Sequence, residues 1–156
     1  MLDHQKSTNS KRSIKSASKR DYFLIREIEQ ELNLNITSRK YYNTLIQYQN
    51  SKILKLIFLN QIVGFIQVQG DYLECEILSI GIKKKYQKKG LGKSLILFLI
   101  QFGYQNIFLE VCVNNFNAIN FYFSLGFKII SIRKNYYKNG LAESRDAYLL
   151  KFENLQ

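Results

Sequence analysis

Gln87-Lys88-Lys89-Gly90-Leu91-Gly92-Lys93-Ser94 is the segment of this chain best equipped for chemistry. It follows a run of β character, Ile77-Leu78-Ser79-Ile80-Gly81-Ile82, and leads into an apolar helical run from Leu95 to Ile100. The first turn of a helix carries backbone N–H groups without partners, and the macrodipole puts partial positive charge there. Gly90 and Gly92 have no Cβ to hold an anion away from those donors, and Lys88, Lys89 and Lys93 add cationic heads. The pattern points to a diphosphate ligand, against the plainer reading of a basic strand–turn–helix corner that binds nothing. Spacing narrows the ligand. A Walker loop needs four residues between its first glycine and a Gly-Lys-Ser/Thr end, which this chain lacks. A dinucleotide fingerprint needs a third glycine three positions after the second, where Leu95 stands.

A second group of reactive side chains lies downstream. Leu109-Glu110-Val111-Cys112-Val113-Asn114-Asn115 is followed by Ala118-Ile119, then Phe121-Tyr122, then Leu125-Gly126-Phe127. In a strand, Leu109 and Val111 share one face and Glu110 takes the other. With the two aliphatics in the core, the carboxylate faces solvent, where it pairs with a lysine, or a cleft, where it can take a proton. A tyrosine phenol, with a pKa near ~10, stays protonated at neutral pH and can give one. Tyr122 is one of eleven tyrosines, so plain core packing is its default role. Asn115 reads as turn chemistry. No base stands near Cys112 in sequence to activate it.

The elements that must position these groups can be read in outline. Asp21 is placed to cap a helix through Leu32, with Phe23, Leu24, Ile28 and Leu32 on or near one face. Residues 33–38 read as a loop, and 41–48 as a short second helix. Lys52–Phe58 and Gln61–Gln69 form a hairpin about Leu59-Asn60. Further strands are expected at 74–82, 107–113, 128–136 and 147–152, the last two around a turn at Asn139-Gly140. Helices are expected at 91–102 and 117–124, the second ended by Gly126.

Bulk properties bound the function. At 156 residues, with 46% apolar and 14% aromatic residues, the chain makes one folded domain with a real core. No apolar stretch approaches the roughly 20 residues that span a bilayer, and the polar, basic start has no apolar signal core. Cys75 and Cys112 form no CxxC pair, and His4 is the single histidine, so no His/Cys metal site is expected. A reducing, cytoplasmic setting is expected. Residues 1–20, rich in Ser, Lys, Arg and Asn, read as a basic, disordered extension ahead of a domain over 21–156. The net charge of +11 attracts phosphate-bearing partners without identifying them. Much of the lysine excess follows the Lys, Asn, Ile, Tyr and Phe usage that AT-rich codons favour.

Taken as Gln/Arg-x-x-Gly-x-Gly/Ala, the turn resembles the pyrophosphate-binding signature of GNAT-type N-acetyltransferases, and the Glu110–Phe127 segment resembles the second half of their fold. Arg133-Lys134-Asn135-Tyr136-Tyr137, then Gly140, then Asp146-Ala147, looks like the C-terminal signature of the RimI-type group, with Ile28-Glu29 in agreement. That group acetylates the N-terminal alanine of a small-subunit ribosomal protein. The resemblance spans about Asp21 to Phe152. It departs on the acceptor side, with Cys112 where the family often has Arg, Arg145 where it has an acid, and Ile36-Thr37-Ser38 where Pro-Trp-Ser is common.

The resemblance implies an α/β GNAT fold, a mixed, mostly antiparallel sheet flanked by helices, with acetyl-CoA as co-substrate and no metal. It assigns the pantetheine arm to Ile80, Gly81 and Ile82, with a bulge at Gly81, and a thioester-polarising N–H near Ile82. The pyrophosphate falls on Lys88, Lys89, Gly90, Leu91, Gly92 and Lys93, with Asn115 bonding the cofactor. Glu110 becomes the general base and Tyr122 the general acid. Glu29, Tyr136 and Tyr137 become candidates for gripping a peptide. The implied partner is a ribosomal protein N-terminus, with the basic tail as a candidate ribosome or RNA contact and no membrane. Another protein N-terminus, a lysine or a small amine is the alternative acceptor. A ribosome- or RNA-binding module without catalysis is the alternative class.

Overall fold

The computed structural model of the chain describes residues 12–136 and 146–154. Residues 1–11, Tyr137, the expected turn at Asn139-Gly140 and Arg145 lie outside the described residues. Among the described residues, seven strands build one sheet: β1 (Arg12–Ser16), β2 (Ser51–Phe58), β3 (Gln61–Gly70), β4 (Glu74–Ile82), β5 (Asn106–Cys112), β6 (Lys128–Arg133) and β7 (Ala147–Glu153). Their order is β1-β2-β3-β4-β5-β7-β6. Every neighbouring pair is antiparallel except β4 with β5. Leu59 and Asn60, with φ of 50° and 61°, close the β2–β3 hairpin in the left-handed conformation that matches strand twist.

Four helices among the described residues cover both faces: α1 (Tyr22–Glu31), α2 (Arg39–Gln47), α3 (Leu91–Phe102) and α4 (Phe116–Ser124). α3 buries Leu91, Leu95, Ile96 and Leu99, a single helical stripe. It packs with Ile119 and Tyr122 of α4 on Ile66, Ile77, Ile107 and Leu109 of the sheet. Tyr22, Ile25 and Ile28 of α1, with Tyr42 and Leu45 of α2, pack on Ile53 and Phe65 of the opposite face. Among the described residues, no helix is long and apolar enough to cross a membrane.

Three local expectations are corrected. The basic segment is not all tail: Arg12–Ser16 pairs along β2, from Arg12 opposite Phe58 to Ser16 opposite Leu54. Ile14 tucks against the core, and the backbone ladder does the rest. Asp21 holds the N-cap position of α1 as expected, but its side chain accepts no bond from the helix amides. It ends a short 3₁₀ turn over Lys19–Asp21, where its carboxylate accepts from Ser18 N–H (2.7 Å), Ser18 Oγ (3.0 Å) and Lys55 Nζ (2.8 Å). α1 also buries a different stripe from the expected one. Tyr22, Ile25, Ile28 and Glu29 face the sheet while Phe23 and Leu24 are exposed: at about 100° per residue the four buried positions fall in one arc of about 120°, with Leu24 about 40° beyond its edge and Phe23 on the far side.

Candidate active site

The sheet opens where its single parallel pair ends. β4 and β5 are in register only from Glu74 opposite Asn106 to Ile77 opposite Leu109. Beyond that point β4 pairs only with β3 and β5 only with β7. The gap is a cleft of about 790 Å³, walled by Leu78, Ser79 and Ile80 on one side and by Glu110, Val111 and Cys112 on the other. Parting strands leave backbone donors and acceptors facing the gap, ready to pair with an extended ligand. Lys83 N–H donates to Val63 O at 2.8 Å. By the alternation of an antiparallel ladder, the N–H groups of Ile82 and Ile80 then point away from β3, onto the open side.

The β4 bulge sits at Leu78, correcting the expectation of Gly81: Gln67 pairs with Ser79 and Val68 with Ile77, so Leu78 is the extra residue. Gly81 answers to packing instead. A Cβ there would lie 2.8 Å from Leu32 Cδ1, 3.0 Å from Phe65 Cε1 and 3.3 Å from Ile28 Cγ2. The missing side chain lets α1 sit close on the sheet beside the cleft.

Just past the end of the β4 wall stands the glycine turn. Gly90 is the N-cap of α3 with φ of 75°, and Lys88 before it has φ of 57°. Ser94 N–H closes the first turn on Gly90 O at 3.1 Å, so the amides of Leu91, Gly92 and Lys93 stay outside the helix ladder. A Cβ on Gly90 would meet nothing within 4 Å, so its glycine serves the left-handed backbone. Gln87 ties the turn down, its Nε2 donating to Ile82 O at 2.9 Å, and Lys84 N–H donates to Glu31 Oε1 at 2.7 Å. Lys89 Nζ lies 5.6 Å from the centre of the Tyr86 ring.

Glu110 and Tyr122 line the same cleft. The Glu110 side chain is only 6% exposed. Its Oε1 accepts from the Arg133 guanidinium, and its Oε2 is buried with no partner. β7 lies between β5 and β6, so Arg133 reaches Glu110 across the small, fully buried Ala147, which pairs with both Cys112 and Arg133. Hydrogen bonding to Glu110 raises the Arg133 guanidinium further above its ordinary range, and it stays charged. Tyr122 is held by edge contacts with Phe121 and Phe127, ring centres 5.2 and 5.5 Å away.

Asn115 caps α4, its Oδ1 accepting from Ala118 N–H at 3.2 Å, and also lines the cleft. Tyr136 lines the cleft with its ring 4.8 Å from the Arg133 guanidinium. Glu29 is elsewhere. Fully buried behind the wall, it accepts from Thr37 N–H (2.9 Å), Thr37 Oγ1 (2.5 Å) and Gln67 Nε2 (3.5 Å), and so fixes the loop between α1 and α2. Thr37 and Gln67, not Glu29, reach the cleft. Sequence reasoning also misses Glu76, a second carboxylate in the cleft. Burial and the Glu110 charge push the Glu76 carboxyl up, with Arg133 pulling it partly back. Among the described residues, no group of three His, Cys, Asp or Glu side chains is placed to hold a metal ion.

The model of the acetyltransferase (GNAT) family matches residues 21–127. The chain belongs to this family. A [ribosomal protein bS18]-alanine N-acetyltransferase of Haemophilus influenzae is 38% identical over 114 residues, 69% of this chain and 75% of that protein. The ribosomal-protein-S18-alanine N-acetyltransferase of Escherichia coli has the same GNAT fold, with a TM-score of 0.83 at 27% identity over 94% of this chain and 96% of that one. A GNAT family acetyltransferase from Elizabethkingia anophelis, with acetyl-CoA bound, shares the fold at 20% identity with a TM-score of 0.71, over 91% and 97% of the two chains. The parted strands and the glycine turn of this GNAT chain thus stand in a fold built around a thioester substrate.

Proposed function

We propose that this chain transfers the acetyl group of acetyl-CoA to the N-terminal alanine amine of a ribosomal protein, of the S18 type named for its Haemophilus and Escherichia relatives. The observation that carries the reading is the shared cleft. The unpartnered Oε2 of Glu110 and the Tyr122 side chain line one gap, and the β4 strand that walls it runs on to Ile82, beside the glycine turn that opens α3.

Acetyl-CoA supplies an activated acyl group. The chain's residues do the rest. The amides of Leu91, Gly92 and Lys93, with Lys88, Lys89 and Lys93, face a pyrophosphate. The Ile80–Ile82 edge pairs with the pantetheine arm as an added strand, with Asn115 Nδ2 as a further donor. The Ile82 N–H on the open side polarises the thioester carbonyl. An α-amino group has a pKa near ~8, so only about a tenth is neutral at pH 7. Glu110 Oε2 takes the surplus proton, the freed electron pair attacks the carbonyl carbon, and the C–S bond breaks. The Tyr122 hydroxyl gives its proton to the departing thiolate, and the phenolate left behind takes the second proton that nitrogen must lose for the neutral amide to form. Tyr136 and Tyr137 are proposed to contact the peptide, and Glu29 to serve it only through the loop it fixes.

Thiol release from acetyl-CoA tests this with two acceptors, a peptide starting with Ala and the same peptide with a blocked N-terminus. The expected result is turnover on the free N-terminus alone, with kcat reduced at least about 10²-fold in Tyr122→Phe. Turnover on both peptides refutes N-terminal selectivity and points to side-chain amines. Undiminished turnover in Tyr122→Phe refutes the assigned acid.

A further inference from the structure

We propose that Gln67 is a specificity-determining residue: its side-chain oxygen accepts a backbone N–H of the acceptor peptide just after the first residue. This deepens the N-terminal acceptor reading and rests on it. Gln67 is 3% exposed and lies on the α1–α2 face of β3, the face that carries buried Phe65 two residues earlier. Its amide nitrogen turns inward, donating to Thr37 Oγ1 at 3.3 Å and to Glu29 Oε1 at 3.5 Å. Turned the other way, Oε1 would face the Glu29 carboxylate, acceptor against acceptor, so chemistry fixes the orientation. Oε1 therefore points away from Glu29. No group among the described residues donates to it, yet it is not sealed in the interior. The open space beside Gln67 is the cleft.

An acceptor so nearly buried calls for a donor. The charged side chains lining the cleft are Glu76 and Glu110, and no Lys or Arg among the described residues joins them, in a chain of net charge +11. This half of the cleft is suited to N–H groups. A neutral amide oxygen matches a neutral backbone N–H, while the carboxylates take charged donors.

Register sets the distance to the reacting amine. Gln67 pairs with Ser79 on β4, and Glu110 follows Leu109, which pairs with Ile77. With Leu78 the bulge between Ile77 and Ser79, Gln67 and Glu110 stand at nearly the same height on either side of β4. Glu110, between core residues Leu109 and Val111, projects from the same sheet face as Gln67. Two strand spacings put the two backbones about 10 Å apart. A peptide whose α-amine sits on Glu110 Oε2 carries its next two backbone N–H groups about 3.5 and 7 Å further on, a span that bridges this gap. A lysine side chain holds its backbone N–H groups behind four methylenes, and a small amine without a peptide bond has none. Gln67 thereby favours a chain terminus over either.

Three peptides that begin with Ala test this: one unmodified, one N-methylated at residue 2 and one at residue 3. In wild type, one of the two methylated peptides is expected to show KM raised about fivefold, the scale of one neutral hydrogen bond, with kcat unchanged. Gln67→Met keeps the length of the side chain and leaves both Thr37 bonds to Glu29 in place. In that variant KM for the unmodified peptide rises to the same level, and the penalty of methylation disappears. KM for acetyl-CoA stays at its wild-type value, which checks that the variant is folded. A merely structural role would raise KM for all three peptides alike and keep the methylation penalty, and that result overturns the proposal. Equal KM for all three peptides in wild type overturns it without any variant. No turnover on the unmodified peptide refutes the N-terminal acceptor reading itself, and the proposal with it.

Discussion

Replacing Glu29 separates a structural carboxylate from a substrate contact. Its two oxygens accept from Thr37 N–H and Thr37 Oγ1, and the Gln67 amide lies 3.5 Å from Oε1 and 3.3 Å from Thr37 Oγ1. All three residues are buried. In Glu29→Gln, one oxygen becomes an NH₂ group. Turned toward Thr37 N–H it sets donor against donor, so it turns toward Thr37 Oγ1, which must then stop donating. Two bonds to a charged acceptor become ordinary ones, falling from about 1.5–3 to about 1 kcal/mol each. The expected loss of stability is about 1–4 kcal/mol, or roughly 2–16 °C in Tm for a chain of this length. Glu29→Leu leaves the Thr37 and Gln67 donors unpaired in the interior and is expected to lose about 3–5 kcal/mol.

Urea unfolding of the two variants, with peptide and acetyl-CoA kinetics alongside, is the assay. The reasoning requires the stability loss first, with any rise in peptide KM following from a loosened loop over residues 33–38. A Glu29→Gln variant with an unchanged urea midpoint and a raised peptide KM would refute it and return Glu29 to the acceptor site.

Three other outcomes are expected. In Gly92→Ala the new Cβ lies 3.6 Å from Phe121 Cζ and 3.8 Å from Ile82 Cγ1, ordinary contacts. The free protein therefore gains about 0.5–1 kcal/mol in urea while KM for acetyl-CoA rises, because the methyl stands beside the turn's amides. Burial and the nearby Glu76 push the Cys75 thiol up to about 12, so an aromatic disulfide reagent at pH 8 modifies Cys112 in native protein and Cys75 only after unfolding. Burial pushes the Asp21 carboxyl up, but the bonds from Lys55 and Ser18 outweigh it and hold it below its ordinary value. Its contribution is therefore present above the unfolded Asp pKa and lost as pH falls through the lower folded one. The unfolding free energy of Asp21→Asn, measured in urea, should trail wild type by about 1.5–3 kcal/mol at pH 7 and converge with it in acid.

What is legible in the sequence is local. The glycine turn, the Leu59-Asn60 hairpin and the α3 stripe each carry their signal within a dozen residues, and each stands where expected. β1 is invisible there because its stability comes from backbone bonds to β2, forty residues away, with Ile14 its main apolar anchor. Gly81 reads as a bulge only through the family resemblance. Its reason is Ile28 and Leu32, on and just after a helix some fifty residues earlier. A motif alone assigns Glu29 to substrate, and only the packing of Thr37 and Gln67 around it shows its role. A signal for Glu76 does exist. Cys75-Glu76-Ile77 and Leu109-Glu110-Val111 are the same apolar–acid–apolar pattern on two strands, and only the parallel register shows that both acids face one gap.

The register also explains why chemistry sits there. Unpaired strand edges are a hazard that proteins cover or charge. This sheet keeps two such edges in its middle, where β4 and β5 part. The parting has a mechanical cause on each side. The Leu78 bulge turns β4 just past its last pairing with β5, while β7 continues to hold β5 through Cys112 opposite Ala147. A substrate arm that fills the gap completes a sheet the chain leaves open, so binding energy is drawn from backbone groups that no side-chain substitution removes. Side chains are then free for the acceptor half of the reaction. Glu110, Arg133 and Tyr136 come from two strands and the turn after them, packed across the small Ala147 on a third, while Glu76 faces the same gap from β4. A change at Ala147 is therefore expected to disturb acetyl transfer while leaving acetyl-CoA binding in place. Ala147→Val, in a fully buried position between Cys112 and Arg133, should lift Arg133 from Glu110 and lower kcat without raising KM for acetyl-CoA. A rise in that KM with kcat preserved would show that the two halves of the cleft are not separable in this way.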